Sequence, residues 1–310
     1  MADPHPATPR EWVMFGLLGL IWGSSFLWIK VALGDGGEGF TPLLLVTCRV
    51  LFGVAGLLAL LAVRGTPLPR DRHTLVACAL IGLFNTALPF LLISWGETRI
   101  ASSMASILNG AQPLFTTVIA HVWLEDEPFS GAKLAGLGTG FLGVVVLMSG
   151  GLGDGLGSLW GQVAVLGATL SYAGASTYAR RTLRGMSPLV QATVPLMFAQ
   201  LYLAAGVALF EPAPRLPASP LAWLAVAWLG LLGSCLAYLM SFTLMNAWGP
   251  TRTSLVTYIM PVVGLLLGSL VLGERTDWRL LAGTVLVVGG IGVVNARALS
   301  SLAGATIVKK

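Results

Sequence analysis

The sequence predicts an all-α polytopic membrane protein: ten transmembrane helices arranged as two inverted five-helix repeats. Three observations carry this. The 310 residues are 55% hydrophobic and only 10% charged, with a mean hydropathy of +0.83, whereas a soluble globular domain carries about 25% charged residues. So few charges cannot cover a water-facing surface, and the same composition excludes disorder. Apolar runs of roughly 20 residues, enough to cross a bilayer, recur ten times. Finally, the second half repeats the first with its basic loop charges moved to the opposite loops.

The runs follow one another with short connections. Span one, Trp12–Leu33, contains Trp22, Ser25 and, near its end, Lys30; its length and the spans that follow mark it as a retained helix rather than a cleaved signal. Span two, Thr41–Val63, contains Arg49, and an arginine-rich connection from Arg64 to Arg72 leads to span three, Thr74–Trp95. Span four is Ser102–Leu124, and span five, Gly131–Gly150, is glycine-rich. Spans six to eight are Ser158–Ala179, Pro188–Phe210 and Leu221–Met245. Spans nine and ten are Thr253–Gly273 and Trp278–Ala296, the latter glycine-rich like span five. Trp12, Trp160, Trp223 and Trp278 stand at span ends, where indoles anchor at the membrane interface. No loop is long enough to house a soluble domain.

Basic residues fix the orientation. The side bearing both termini holds twelve lysines and arginines and the other side five, so both termini are expected in the cytoplasm of a bacterial inner membrane. The excess of arginine over lysine, with abundant Ala, Gly and Leu, points to a GC-rich bacterium.

Self-comparison explains the odd number of helices per unit. Trp22–Lys30 lies over Tyr172–Arg180 at an offset of 150, Phe90 over Tyr238 at 148, and Thr41-Pro42-Leu43 over Ser187-Pro188-Leu189 at 146. Pro113 lies over Pro261, Glu127 over Glu274 and Gly136 over Gly283. Two copies of a five-helix unit must insert in opposite senses, and the charges agree: loop 1–2 has no basic residue, while its counterpart has Arg180, Arg181 and Arg184. The expected units are residues 1–150, residues 151–297 and a cytoplasmic tail, 298–310. Inverted repeats are a hallmark of secondary transporters, whose two halves exchange conformations.

These residues together resemble the drug/metabolite transporter (DMT) superfamily, EamA type: Trp22-Gly-Ser-Ser-Phe, Arg49, Pro113 with Pro261, and Gly273-Glu274 followed by Gly283. The resemblance covers nearly the whole chain. It implies a ten-helix exporter with a central cavity lined by helices 1, 3, 4, 6, 8 and 9, most similar to YddG-type exporters of aromatic amino acids. The first copy departs from the pattern, reading Leu124-Glu125-Asp126-Glu127-Pro128 where the second reads Gly-Glu.

Candidate binding residues come from polar groups inside the spans. Asn85, Asn109 and Thr257 each precede a proline (Pro89, Pro113, Pro261) by four. Proline has no N–H to give to the carbonyl four residues earlier, so that carbonyl is freed. Freed backbone at membrane depth is tolerated where it is buried in protein or lines a cavity. A kinked structural helix with an internally bonded side chain is the alternative. Helix eight offers Ser234, Tyr238 and Ser241 on one face, and its counterpart offers Thr86 and Phe90. Trp22, Ser25, Gln112, Tyr172, Ser176 and Tyr258 complete an amphipathic set suited to a zwitterion with an apolar side chain. Any one of these aromatics can equally serve packing or anchoring. Lys30 is expected to snorkel to the outer interface. Arg49, in a helix expected at the periphery, reads as a gating or structural tie.

All 13 acidic residues fall in tails, loops or helix ends. Without a mid-span carboxylate, the plainer reading is facilitative movement, with proton coupling as the alternative. The expected partners are a small metabolite and the lipid bilayer, with the chain working as a monomer. No cofactor, metal or nucleic acid is expected. Cys48, Cys78 and Cys235 have no metal spacing, and His121 reads as a satisfied buried histidine. Gly138-Thr-Gly140-Phe-Leu-Gly143 matches a dinucleotide motif only formally, since no strand precedes it. A lipid-modifying membrane enzyme would show a nucleophilic or charged interfacial cluster, and the sequence shows none. A drug exporter for lipophilic cations would want a midplane carboxylate.

Overall fold

The computed structural model describes residues 8–34, 38–123, 130–151, 155–211, 213–248 and 253–294, and these residues are all-helical. The helices are α1 (Pro9–Leu33), α2 (Pro42–Arg64), α3 (Arg72–Glu97), α4 (Ser102–Gly110), α5 (Gln112–Trp123), α6 (Gly131–Gly151), α7 (Leu156–Thr182) and α8 (Pro188–Phe210). They continue with α9 (Pro220–Trp248), α10 (Ile259–Val271, preceded by the 3-10 turn Ser254–Tyr258) and α11 (Trp278–Val294). Six of them, α1, α2, α3, α6, α8 and α9, are long and apolar enough to cross a membrane, and shorter apolar helices accompany them.

The starts are written in the sequence. Thr41, Ser187 and Ser219 each precede a proline, and each side-chain oxygen accepts the N–H three residues on, at 3.2, 3.4 and 3.4 Å. A proline at the first helical position loses nothing, because that N–H has no partner inside the helix. At α1, Thr8 and Glu11 cap one another reciprocally. Asp71 caps α3 by accepting the Thr74 N–H at 2.8 Å.

Three helices depart from regular winding. Predicted span four is two helices, because the ladder breaks at Ala111, whose N–H turns back to the Leu108 carbonyl. Pro113, with no N–H, is the cause. Within α3, residues Leu83–Ala87 are π-helical, ending two residues before Pro89. Within α9, Trp228–Leu236 are π-helical. Each π turn displaces carbonyls from the ordinary ladder.

Glycines set the helix spacing. The α6–α11 pair is the most extensive contact in the molecule, in line with the glycine-rich spans five and ten. A Cβ on Gly290 would run into the backbone of Gly136 and Gly140, and one on Gly143 into Val287 and Leu286. Backbone cannot step aside as a side-chain tip can. Gly290→Ala is therefore expected to separate these helices and destabilise the protein by about 1–3 kcal/mol, the usual cost of overpacking. Thermal unfolding in detergent checks this; an unchanged midpoint would mean the two backbones are not in contact. On the other side, Gly19 and Gly23 of α1 leave room for the Ile259 and Val263 side chains of α10.

Candidate functional site

Arg49 of α2 lies against α3 and α9, the two helices that carry π-helical turns. Helix α2 keeps Leu51, Leu58 and Val63 exposed, while Arg49 is turned inward and is 4% exposed. Its Nε donates to Ser234 Oγ at 3.1 Å, and its guanidinium lies 3.8 Å from the centre of the Phe90 ring. Two glycines admit it. A Cβ on Gly53 would press on Ser234, and one on Gly230 would strike the Arg49 carbonyl and Phe52. The Arg49 side chain meets neutral partners here. It finds a hydroxyl and an aromatic face.

Around it the expected aromatic group assembles. Trp22 Nε1 donates to the Gly233 carbonyl at 3.2 Å, a carbonyl inside the π turn of α9, and its ring meets Tyr238 edge-on at 6.2 Å. The Tyr238 hydroxyl lies 3.5 Å from both Thr86 Oγ1 and the Asn85 carbonyl. Asn85 is the residue four before Pro89, so the carbonyl freed by the proline is the one that meets the tyrosine. Tyr172 of α7 is within electrostatic reach of both Arg49 and Tyr238. Ser25 donates to the Ile21 carbonyl at 3.0 Å and is buried beside Gly233.

The remaining candidates lie at the crossing of α4 and α10. Asn109 is buried with its Oδ1 unbonded. Ser106 Oγ donates to the Met260 carbonyl at 2.9 Å, and a Cβ on Gly110 would enter the Pro261 ring. Thr257 is buried just before Pro261, Pro113 is buried, and Gln112 is half-buried. Tyr258 donates to the Ile291 carbonyl of α11 at 2.5 Å, so its tie is to that helix.

A third polar group stands at the far end of α3. Lys30 does not snorkel. Its ammonium donates to the carbonyls of Glu97 and Ile100 at 2.7 and 3.1 Å, the first an acceptor that the last turn of α3 leaves open and the second in the turn that follows. Facing it, Glu274 accepts the N–H groups of Ser102 and Ser103 at 2.7 and 2.9 Å. A cation at the C-terminus of α3 and an anion at the N-terminus of α4 both oppose the helix dipoles favourably. Gly273 makes the turn with φ +65°, and Gly268 has no Cβ where Glu274 needs the space. The counterpart turn around Glu127 and Pro128 lies outside the described residues.

Burial raises the Glu274 carboxyl, but hydrogen bonds from Ser103 and Ser102 outweigh it, and the group sits below the usual glutamate range. A depressed carboxyl stabilises the fold above its unfolded value, about 4.3. That contribution is lost as pH falls through the lower folded value. Glu274→Gln is expected to cost about 1.5–3 kcal/mol at neutral pH, the range for hydrogen bonds to a charged group. The difference should vanish in acid. Denaturation midpoints followed from neutral to acid pH check this; a constant gap between the two proteins would contradict it.

Glu97 was missed by sequence reasoning. It ends α3, beside a turn, where a charge is expected to reach water. It is 0% exposed, and neither carboxyl oxygen has a hydrogen-bond partner. The available signal is Gly96 and Gly161, which let α7 close against this turn. His121, expected to be buried, is exposed on α5. The three cysteines are free thiols, Cys78 buried and the others half-buried. Among the described residues no cluster of His, Cys, Asp and Glu is able to hold a metal.

Long apolar helices wrapped around a buried arginine, aromatic side chains and freed carbonyls define a multi-pass integral membrane protein. The model of the EamA-like transporter family matches residues 10–149 and again 159–296. The chain belongs to this family. It is 30% identical over 274 residues to the uncharacterized inner membrane transporter YedA of Escherichia coli (strain K12), covering 87% of this chain and 86% of that one. It is 28% identical over 281 residues to the uncharacterized transporter YdfC of Bacillus subtilis (strain 168), with 87% and 86% covered. The protein PagO of Salmonella typhimurium is 24% identical over 84% of each chain. A solved protein crystal structure shares the fold, with a TM-score of 0.68 at 22% identity over 94% of this chain and 99% of that one.

Proposed function

We propose that this transporter exports small metabolites, amino acids with large apolar or aromatic side chains among them, by alternating access and down the substrate gradient. The observation that carries the reading is the setting of Arg49. A buried guanidinium that touches a hydroxyl and a ring leaves its remaining N–H groups for a substrate carboxylate, which it suits as a planar fork. Phe90, Trp22, Tyr172 and Tyr238 supply apolar faces for the side chain, and the freed Asn85 and Gly233 carbonyls are acceptors for an ammonium group. Asn109, Gln112 and Thr257, grouped at the crossing of α4 and α10, are the further candidates for substrate contact.

The architecture we infer is ten spans in two inverted repeats, residues 1–150 and 151–297, with both termini in the cytoplasm and the monomer as the working unit. Support comes from the double match of the family model, from π turns in both α3 and α9 at corresponding places, and from Ser/Thr-Pro caps opening both α2 and α8. Each half presents a helix with a π turn to Arg49, so rocking the halves would remake the contacts of that residue.

The test is movement of radiolabelled amino acids by purified protein in liposomes, with and without a pH gradient. Saturable movement of a few large neutral or aromatic amino acids, unaffected in direction by the gradient, is the expected result. Uphill accumulation driven by the gradient would overturn the facilitative part. No movement of any amino acid by folded protein would overturn the substrate class.

A further inference from the structure

We propose that Glu97 is a proton-binding site at the outer seal, taking a proton from the outer water as the seal closes over it and returning the proton to the same side as the seal opens. The chemistry is one carboxylate becoming one carboxyl and back, with no other group changed. The site is built from burial without bonding. The Glu97 side chain is fully enclosed, and both of its oxygens lack a hydrogen-bond partner. A carboxylate stripped of water and given no donor is far costlier than a neutral carboxyl.

The surrounding charges do not supply the missing donor. From α1, Lys30 is the nearest cation in effect, but its ammonium is engaged by the backbone carbonyls of Glu97 and Ile100. From α2, Arg49 acts only through space, being bonded to Ser234 and stacked on Phe90. From the turn before α11, the Glu274 carboxylate opposes a second negative charge, and it already takes the Ser102 and Ser103 amides. From α7, Gly161 and Val165 close against Gly96 and bring no charge.

Opening on this side must part Lys30 and Glu274 from the turn at residues 98–103, which admits water to the carboxyl. Ionised Glu97 then fits only the open seal, and protonated Glu97 fits the closed one. By linkage, acid favours closure. Because the proton enters and leaves on one side, it tunes the rate of exchange without driving accumulation. The effect on flux rests on the transport reading above; the proton binding itself does not.

Two measurements on the full chain in liposomes test this. In infrared titration the unaltered protein should show a carboxylic-acid carbonyl band at neutral pH that Glu97→Gln removes and Glu97→Asp restores. A band that survives in Glu97→Gln, or none in the unaltered protein, overturns the proposal. In exchange of radiolabelled phenylalanine, with equal pH on both sides, the unaltered protein should slow several-fold in mild acid. Glu97→Gln, held in the neutral form, should be slow and indifferent to pH, and a response in Glu97→Gln equal to the unaltered protein's overturns the gating role. If neither protein moves phenylalanine, the substrate reading fails, and the infrared band alone decides the proton site.

Discussion

Replacing Arg49 with Met is expected to abolish amino-acid transport while leaving the protein as stable as before, or slightly more so. The two halves of this expectation have separate causes. A substrate carboxylate held by two charge-assisted hydrogen bonds of about 1.5–3 kcal/mol each loses both. At about 1.4 kcal/mol per tenfold, transport at sub-saturating substrate falls by roughly a hundredfold or more. Folding, by contrast, is relieved of a buried cation that has no carboxylate against it. Ser234 keeps a partner, since its hydroxyl donates to the Leu229 carbonyl at 3.1 Å. The lost stacking on Phe90 is worth about 2 kcal/mol when desolvated, which the avoided desolvation of the charge offsets. Arg49→Lys should recover little, because an ammonium cannot lie flat on the ring and present a fork together. The measurement is liposome transport beside thermal unfolding of the same preparations. A marked fall in the unfolding temperature with transport per folded molecule intact would return Arg49 to a purely structural tie.

That Arg49 sits at the centre was not readable from its surroundings in sequence. Hydropathy places it eight residues into an apolar run, which gives depth but not direction. Its direction is set by Gly53 and Gly230, which allow α2 and α9 to touch, and such contacts are non-local. The side chains that came together with it were readable. Phe90, Tyr238 and Asn85 follow from the internal repeat and from proline spacing, both of which are local patterns. The π turns were not, because no residue type marks where a ladder shifts by one carbonyl. Glu97 shows the same limit from the other side. As a helix-end charge it reads as solvated, and only the approach of α7 through Gly161 buries it. The Lys30 reading failed for a related reason: snorkelling assumes water at the helix end, whereas the end of α3 fills that place with open carbonyls.

Replacing Lys30 with Met is expected to open the outer seal. The ammonium supplies both hydrogen bonds that join α1 to the turn after α3. Its removal leaves two buried carbonyls at the negative end of a helix without a donor, a state that only water can repair. The closed form then loses about 3 kcal/mol relative to the open one, taking the low end of the range for two bonds to a charged group. That corresponds to roughly a hundredfold shift in the ratio of open to closed molecules. Ser102 is 0% exposed behind this seal, and a cysteine there keeps the amide that Glu274 accepts. In a background lacking Cys48, Cys78 and Cys235, Ser102→Cys should react slowly with a membrane-impermeant maleimide added outside cells. The same variant carrying Lys30→Met should react many-fold faster, and Lys30→Arg should stay slow because its guanidinium still donates to both carbonyls. Equal labelling with and without Lys30 would show that the seal is held elsewhere, by Glu274 on the α4 side, and labelling only from the cytoplasmic face would reverse the orientation drawn from the loop charges.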